Sequence, residues 1–276
     1  MRILVIVVTY NGEKWISRCL ESVWGSSVQA DAVVIDNASS DGTLQLVREH
    51  FPWVRLVAGK ENLGFGAANN IGLRMALEEG YDYAYLLNQD AWIFPDTLGK
   101  LVGAAEKEPS YAILSPVQME ADLLHEDVLF SRIPRADRGD GTVMEVRRVM
   151  AAHWLVRLKA LREVGLFAPI FHHYGEDDNL CCRLRHRGWK IGIVPSAKAV
   201  HDRAGRDLSS PAARQRTWRI TSLVILCDPS LPLWVQWLHV LAFTLVKTVK
   251  NRSLSPLKEL PSLFSMRDEI IRTRKP

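Results

Sequence analysis

The sequence predicts an α/β fold, a mostly parallel sheet with flanking helices, followed by a C-terminal helical extension. Two observations carry this expectation. Four short apolar runs alternate with helix-spaced segments over about the first 100 residues. Beyond Arg203 the pattern changes to long apolar helices with basic flanks, which divides the chain into residues 1–210 and 211–276.

Ile3–Val8 is the first strand, six apolar residues bounded by polar ones. That run is too short for a secretory signal and lacks the small residues of a cleavage site. Ile16, Cys19, Leu20 and Val23 then fall on one helical face. Ala32–Ile35 is a second strand ending at Asp36, and a short helix follows from Thr43 with Ser40 or Asp41 as its N-cap. Val54–Ala58 is a third strand, after which a Gly-rich turn opens a helix carrying Ile71, Met75 and Leu77. Tyr83–Leu87 is the fourth, ending in Asn88-Gln89-Asp90. Residues 118–150 read as a loop or hairpin excursion, and Ala160–Val164 continues a short helix. Glu176–Arg187 is a stronger helix closed by Gly188, and Lys190–Val194 is a strand stopped by Pro195.

Composition limits the function classes. With 276 residues, 47% hydrophobic and 24% charged, the chain is neither disordered, collagenous nor polytopic. Four scattered cysteines make no disulfide framework and point to a reducing compartment. The net charge of +4 is unevenly spread: residues 1–200 carry −3, whereas residues 201–276 carry +7. The basic last quarter asks for an anionic partner.

In parallel sheets, ligands bind in the loops beyond the carboxyl ends of the strands. Here those loops hold Thr9-Tyr10-Asn11-Gly12, the run Asp36 to Gly42, and Asn88-Gln89-Asp90. Turns alone need one Gly or Asn, so repeated Asp and Asn at three strand ends indicate a binding crevice. Asn88 and Asp90 share a strand face and can meet one ligand. An Asp beside a neutral oxygen suits Mg2+ or Mn2+ bridging a diphosphate, although Asp90 could instead cap the next turn. Glu176, Asp177 and Asp178 follow the loop Phe171-His172-His173-Tyr174-Gly175. The helix dipole accounts for one or two of these acids; three after an aromatic, His-rich loop suggest a general base acting on an acceptor hydroxyl, with Glu176, Asp178, His173 and Tyr174 as acceptor-side candidates. His201 becomes a metal ligand only if Asp90 is near it in space. Gly64-Phe65-Gly66 follows the third strand, not the first, and is no dinucleotide fingerprint. Cys181-Cys182 near His172 and His173 lacks zinc-ligand spacing and reads as helix packing.

Taken together these residues resemble a family 2 glycosyltransferase of the GT-A fold, with its Rossmann-like sheet, in the bacterial rhamnosyltransferase-like branch. The matching stretches are Val7 to Asn11, Val34 to Thr43, Asn62 to Gly66 with Asn69-Asn70, Leu86 to Asp90, Gly175 to Asp178 with Arg183 and Gly188, and Pro195 to His201. The resemblance implies that Thr9, Tyr10, Asn11 and Asp36 hold the nucleotide base and ribose. It implies that Asn62, Gly64 and Asn69, with Asn88, line the donor diphosphate and sugar. It gives Asp90 and His201 to the metal, Mg2+ or Mn2+, and makes Asp177 the catalytic base of an inverting displacement. The donor would be a nucleotide sugar, with dTDP-rhamnose the first choice, and the acceptor a glycan or a lipid-linked saccharide. The family's common Asp-x-Asp motif is here Asn88-Gln89-Asp90, a neutral first position that lowers the charge of the site. Arg203 and Arg206 could supply phosphate-binding guanidinium groups.

The extension is apolar but broken at Asp228-Pro229 and Pro232, so neither piece reaches the ~20 apolar residues of a bilayer span. Trp218, Trp234 and Trp237 beside the apolar runs, with Lys247, Lys250 and Arg252 after them, fit helices lying on an anionic membrane surface. A helical lid or a homodimer interface is the alternative. A peripheral position on the cytoplasmic face of the inner membrane, in O-antigen, capsule or cell-wall glycan assembly, is the expectation that the family supplies. The rival functions are a nucleotidyltransferase, which would carry a basic Gly-rich loop after strand one, and a catalytically inactive nucleotide-sugar-binding scaffold. Nucleic acid is not an expected partner, since the basic excess lies beside apolar helices.

Overall fold

A computed structural model describes residues 1–134, 142–202 and 211–275. The four expected strands are present as β1 (Ile3–Thr9), β2 (Asp31–Asp36), β3 (Arg55–Ala58) and β4 (Tyr83–Asn88), mutually parallel in the order β3-β2-β1-β4. Their connections are α1 (Ile16–Trp24), α2 (Thr43–His50) and α3 (Phe65–Glu78). The period of two along β1 explains how both sheet faces are filled. Leu4 and Ile6 enter one core with Ala68, Leu73 and Ala76 of α3, whereas Ile3, Val5 and Val7 enter the other with Ile16, Cys19, Leu20 and Val23 of α1. On α3 the deepest face is the small one, Gly66, Ala68, Gly72 and Ala76, and Ile71, Met75 and Leu77 flank it half-buried. Gly42 takes the N-cap position of α2, and Asp41 Oδ1 accepts the Thr43 N–H at 3.1 Å.

The second half of the sheet is mixed. After β5 (Ala91–Ile93), α4 (Thr97–Lys107) and β6 (Tyr111–Met119), the 118–150 excursion turns through a 3-10 segment at Phe130–Arg132 to β7 (Met144–Val146). The chain then inserts β8 (His153–Arg157) antiparallel between β4 and β6. α5 (Leu158–Val164) and α6 (Glu176–His186) lead to β9 (Lys190–His201), which runs parallel to β6 and antiparallel to β5 and β7. Continuous parallel pairing is therefore confined to the first four strands and recurs only between β6 and β9 among the described residues. Pro195 does not stop β9. Pairing jumps from Pro116–Val194 to Val117–Lys198, so the proline, which has no N–H to give, sits in a bulge and the strand continues to His201.

Four helices complete the chain: α7 (Pro211–Cys227), α8 (Leu233–Asn251), α9 (Ser255–Ser265) and α10 (Arg267–Arg274). They form a third core around Trp218, Leu223, Leu226, Val240, Leu263 and Ile270. That core also takes in Ala168, Ile170 and Phe171 from the loop before α6. Trp218 is buried and donates its indole N–H to Thr244 Oγ1 at 3.2 Å, and Trp237 stacks on Phe264 at 4.1 Å. Of the three tryptophans read as surface anchors, Trp234 is the exposed one, at 68%. Among the described residues no helix is long and apolar enough to cross a membrane.

Candidate active site

Because β2, β1 and β4 are adjacent, their polar ends converge. Gln89 fastens them: its Oε1 accepts the Thr9 hydroxyl at 2.7 Å and the Tyr10 N–H at 2.8 Å, and its Nε2 donates to the Tyr10 carbonyl at 3.2 Å. Asn11, at φ +48°, accepts the Ser40 N–H on Oδ1 at 2.8 Å and joins the first loop to the second. Asp36 accepts the Ser39 N–H on Oδ2 at 3.0 Å, while its buried Oδ1 has no hydrogen-bond partner. Asn37 donates to Asn62 Oδ1 at 2.8 Å and accepts the Leu63 N–H at 2.8 Å. Asn62 Oδ1 in turn accepts the Gly64 N–H at 2.9 Å. Gly64 has φ +81°, in the left-handed region, and opens α3 against the His172 backbone.

These strand ends floor a cavity of about 870 Å3 that contains Tyr10, Asn37, Asn62, Gly64, Asn88 and Asp90. One wall is the loop Ile170 to Tyr174, and the other is Arg219, Ile220 and Leu223 of α7 with Met266. The structure thus brings Tyr10, Asn62, Gly64, Asn88, Asp90, His173 and Tyr174 together. Thr9, Asp36 and Asn69 are buried off the lining, and His201, Glu176, Asp177 and Asp178 are not part of it either: Thr9 spends its hydroxyl on Gln89, and Asn69 donates to Phe65 O within α3 at 3.0 Å. Asn11 stays in its exposed loop. Arg203 and Arg206 lie outside the described residues.

Asp90 does not cap a turn in the open; it is 6% exposed and faces His201, which is 1% exposed. His201 reaches it because β5 pairs with the end of β9, Ala91 opposite His201. His201 Nε2 lies 3.5 Å from Asp90 Oδ1, somewhat wider than the ~3.0 Å between neighbouring ligands each ~2.1 Å from an octahedral ion. Asn88 Oδ1, two residues before Asp90, is buried with no hydrogen-bond partner. Among the described residues no group of three or more His, Cys, Asp or Glu could hold a metal ion by itself. A divalent ion here could draw on a carboxylate, an imidazole and a neutral oxygen, a short set that substrate phosphates would have to complete. Behind it His153 is fully buried, with Nδ1 2.9 Å from the Tyr85 hydroxyl and Nε2 2.9 Å from the Val200 carbonyl. Burial pushes its pKa down to about 3, which keeps this imidazole neutral.

The three acids of α6 differ. Glu176 is buried, its Oε2 lacks a hydrogen-bond partner, and burial followed by the Asp177 charge pushes its pKa up to about 8. Its Cβ and Cγ pack against Gly66, and the raised pKa favours the protonated carboxyl. Asp178 is paired with Arg148. Asp177 is half-buried and accepts the Asp178 N–H at 2.8 Å, and burial followed by the Asp178 charge holds its carboxyl above the usual carboxylate range. A raised proton affinity is the direction that general-base work asks of a carboxylate.

Several residues of the site escaped the sequence. Asn37 and Gln89 lie inside the recognised strand ends, and strand alternation could have flagged them. Asn70 clamps the backbone of Phe167 with two bonds, at 2.9 and 3.0 Å, and so fixes the entry to the 170–174 loop. Asp127, whose Oδ2 lies 3.6 Å from His201 Nδ1, and the α7 wall carry no local signal at all.

The comparisons agree with this architecture. The family described as Glycosyl transferase family 2 matches residues 4–165, more than half of the chain, and the chain belongs to that family. An N-acetylglucosaminyl-diphospho-decaprenol L-rhamnosyltransferase of Mycobacterium tuberculosis is 27% identical over 256 residues, covering 81% of this chain and 83% of the relative. Rhamnosyltransferase WbbL of Escherichia coli is 26% identical over 243 residues, covering 80% and 90%. Among solved structures, Staphylococcus aureus TarS 1–349 in complex with UDP-GlcNAc superposes with TM-score 0.60 at 18% identity, covering 99% of this chain and 79% of that one. GalNAc-T7 with UDP, GalNAc and Mn2+ gives TM-score 0.62 at 15% identity, covering 84% and 52%. These structural likenesses establish the fold, GT-A. The protein is a nucleotide-sugar-dependent glycosyltransferase.

Proposed function

We propose that the chain is an inverting, divalent-metal-dependent glycosyltransferase of cell-surface polysaccharide assembly. It transfers rhamnose from dTDP-rhamnose to a hydroxyl of a lipid-linked saccharide. The observation that carries this reading is the cavity itself. Its polar floor offers Asn37, Asn62 and the Asn88–Asp90 edge to a donor, and its opposite walls offer the 170–174 loop and α7 to an acceptor. The choice of sugar rests on the two rhamnosyltransferase relatives, one of which is named for a diphospho-decaprenol acceptor.

In this mechanism Tyr10, Asn37 and Asn62 orient the nucleotide, and the loop at His173 and Tyr174 orients the acceptor. Asp177 takes the proton from the acceptor hydroxyl as that oxygen attacks the anomeric carbon, on the face opposite the leaving nucleoside diphosphate. A divalent ion bound at Asp90 and His201 would offset the charge developing on the diphosphate. A protonated Glu176 would leave Asp178, itself paired with Arg148, as the acid whose charge acts on Asp177. The test is a titration of the full chain with nucleotide sugars in Mg2+ or Mn2+, beside D177N. The variant should bind donor as the wild type does and transfer nothing. Wild-type turnover by D177N would remove Asp177 from the base role.

We also assign residues 211–276 to a helical unit that both closes the cavity and rests on the cytoplasmic face of the inner membrane. Supporting this, α8 is apolar on two sides: Val240, with Leu233, Trp237 and Phe243, packs on the third core, while Trp234, Leu238, Leu241, Leu245 and Val249 face out in one helical stripe. The helix contains no acid and ends at Lys247, Lys250 and Arg252, a charge pattern that favours anionic lipid over a second copy of the chain.

A further inference from the structure

Among the described residues, Arg219 is the one lysine or arginine that lines the cavity. It belongs to α7, and its side chain is 42% exposed. Its tip is held by α9 and the residue after it. Nη1 lies 3.5 Å from Glu259 Oε2 and donates to Ser262 Oγ at 3.3 Å, while Nη2 meets Met266 Sδ at 3.6 Å. Glu259 thus reaches one nitrogen, at a length well beyond that of a close guanidinium–carboxylate pair. Nη2 faces a thioether, a weak acceptor, and Met266 itself lines the cavity. A planar guanidinium can keep the first contact and still offer its other edge to an oxyanion.

The surroundings of this charge are apolar: Ile170, Phe171, Ile220, Leu223 and Met266 share the cavity with it. The floor is different in kind, with Asp90 and the amides of Asn37, Asn62 and Asn88. A donor diphosphate assigned to the Asp90 end leaves a fixed cation among apolar side chains for another ligand, one that carries an anion next to a hydrocarbon. We propose that Arg219 binds the phosphoryl group joining the saccharide of the acceptor to its lipid, with the apolar wall taking the first carbons of that lipid. Arg219 is then a specificity-determining residue for the acceptor. This rests on the lipid-linked acceptor proposed above. Continuity with the membrane-facing helix supports it, since Trp218, the neighbour of Arg219, bonds α7 to Thr244 of α8.

The test compares geranyl diphosphate with geraniol, which share the lipid and differ in the phosphoryl group, by isothermal titration of the full chain. Saturating dTDP and Mn2+ keep the probe's diphosphate out of the donor end. The wild type should bind the diphosphate probe about 10–100-fold more tightly than the alcohol, the range for charge-assisted hydrogen bonds to an anion. R219Q, and R219M where R219Q does not fold, should bring the two probes within about threefold of each other. R219K should keep part of the preference, because it retains the charge without the fork. Affinity for dTDP should be the same in R219Q as in the wild type. A preference retained in R219Q or R219M overturns the proposal, and so does loss of dTDP affinity in its place, which would give Arg219 to the donor. A wild type that binds both probes equally overturns it while leaving a lipid acceptor standing. A wild type that binds dTDP and neither probe removes the lipid-linked acceptor itself, and this role with it.

Discussion

Gly64 and His172 meet at the junction of the two sides of the cavity: a β-carbon on Gly64 would lie 2.0 Å from the His172 carbonyl oxygen. The donor-side turn and the acceptor-side loop are therefore in backbone contact, and Gly64 is required both for that contact and for its φ of +81°. Alanine here incurs about 1–2 kcal/mol for the left-handed backbone, plus displacement of the loop. G64A should lower the melting temperature by several degrees and weaken both donor and acceptor binding, as thermal melts and ligand titration would show. A variant with wild-type donor and acceptor affinities would mean the loop does not depend on this contact.

The Asn88 oxygen is buried beside Asp90 without a hydrogen-bond partner. Replacing it with a carboxylate restores a second charge to the site. N88D should bind Mn2+ more tightly by roughly tenfold, because ligand charge count tunes such sites. Isothermal titration with metal would read this directly, and equal or weaker affinity would place Asn88 outside the coordination sphere.

Glu176 gives a pH signature. Its folded-state pKa of about 8 lies above the ordinary value of 4.5, so the folded state binds more protons than the unfolded one. Its contribution is fully present below about pH 4.5 and is lost as pH rises through about 8. E176Q, which mimics the protonated form, should be more stable than wild type at pH 8 by about 1–3 kcal/mol and flatten that part of the stability profile. Denaturant unfolding at pH 5 and pH 8 checks it. A wild-type slope retained in E176Q assigns the titration elsewhere.

The outward stripe of α8 can be changed without touching a core. Leu238, Leu245 and Val249 are exposed, Val249 at 78%. Their triple replacement by serine should leave the melting temperature within a few degrees and abolish flotation with anionic vesicles. Charge reversal at Lys247 and Lys250 should weaken flotation in a salt-dependent way. Vesicle binding unchanged by both sets, or loss of a dimer in sedimentation instead, would assign the stripe to another partner.

Local signals made the first half of the molecule legible. The spacing of Ile16, Cys19, Leu20 and Val23 specifies α1 residue for residue, because an amphipathic helix on a sheet buries one stripe. Asn88 and Asp90 stood out because strand ends of a parallel sheet collect polar residues for a reason. The strand β8 and Asp127 could not be read this way: β8 is fixed by pairing with β4 and β6, far away in sequence, and Asp127 acquires meaning only when β9 delivers His201 beside it. Pro195 misled because a bulge accommodates it. The wall formed by Arg219, Ile220 and Leu223 was hidden for the same reason, since α7 reads as a tail until the core around Phe171 draws it over the cavity.

The most direct test of the whole account is the stereochemistry and stoichiometry of one reaction. The full chain with Mn2+, dTDP-β-L-rhamnose and a short-chain lipid-diphosphate saccharide should release one nucleoside diphosphate per glycoside formed. The proton NMR spectrum of that glycoside should show the α anomer, inverted relative to the donor. A β-linked product, or nucleotide release by D177N at the wild-type rate, would contradict a direct displacement driven by Asp177.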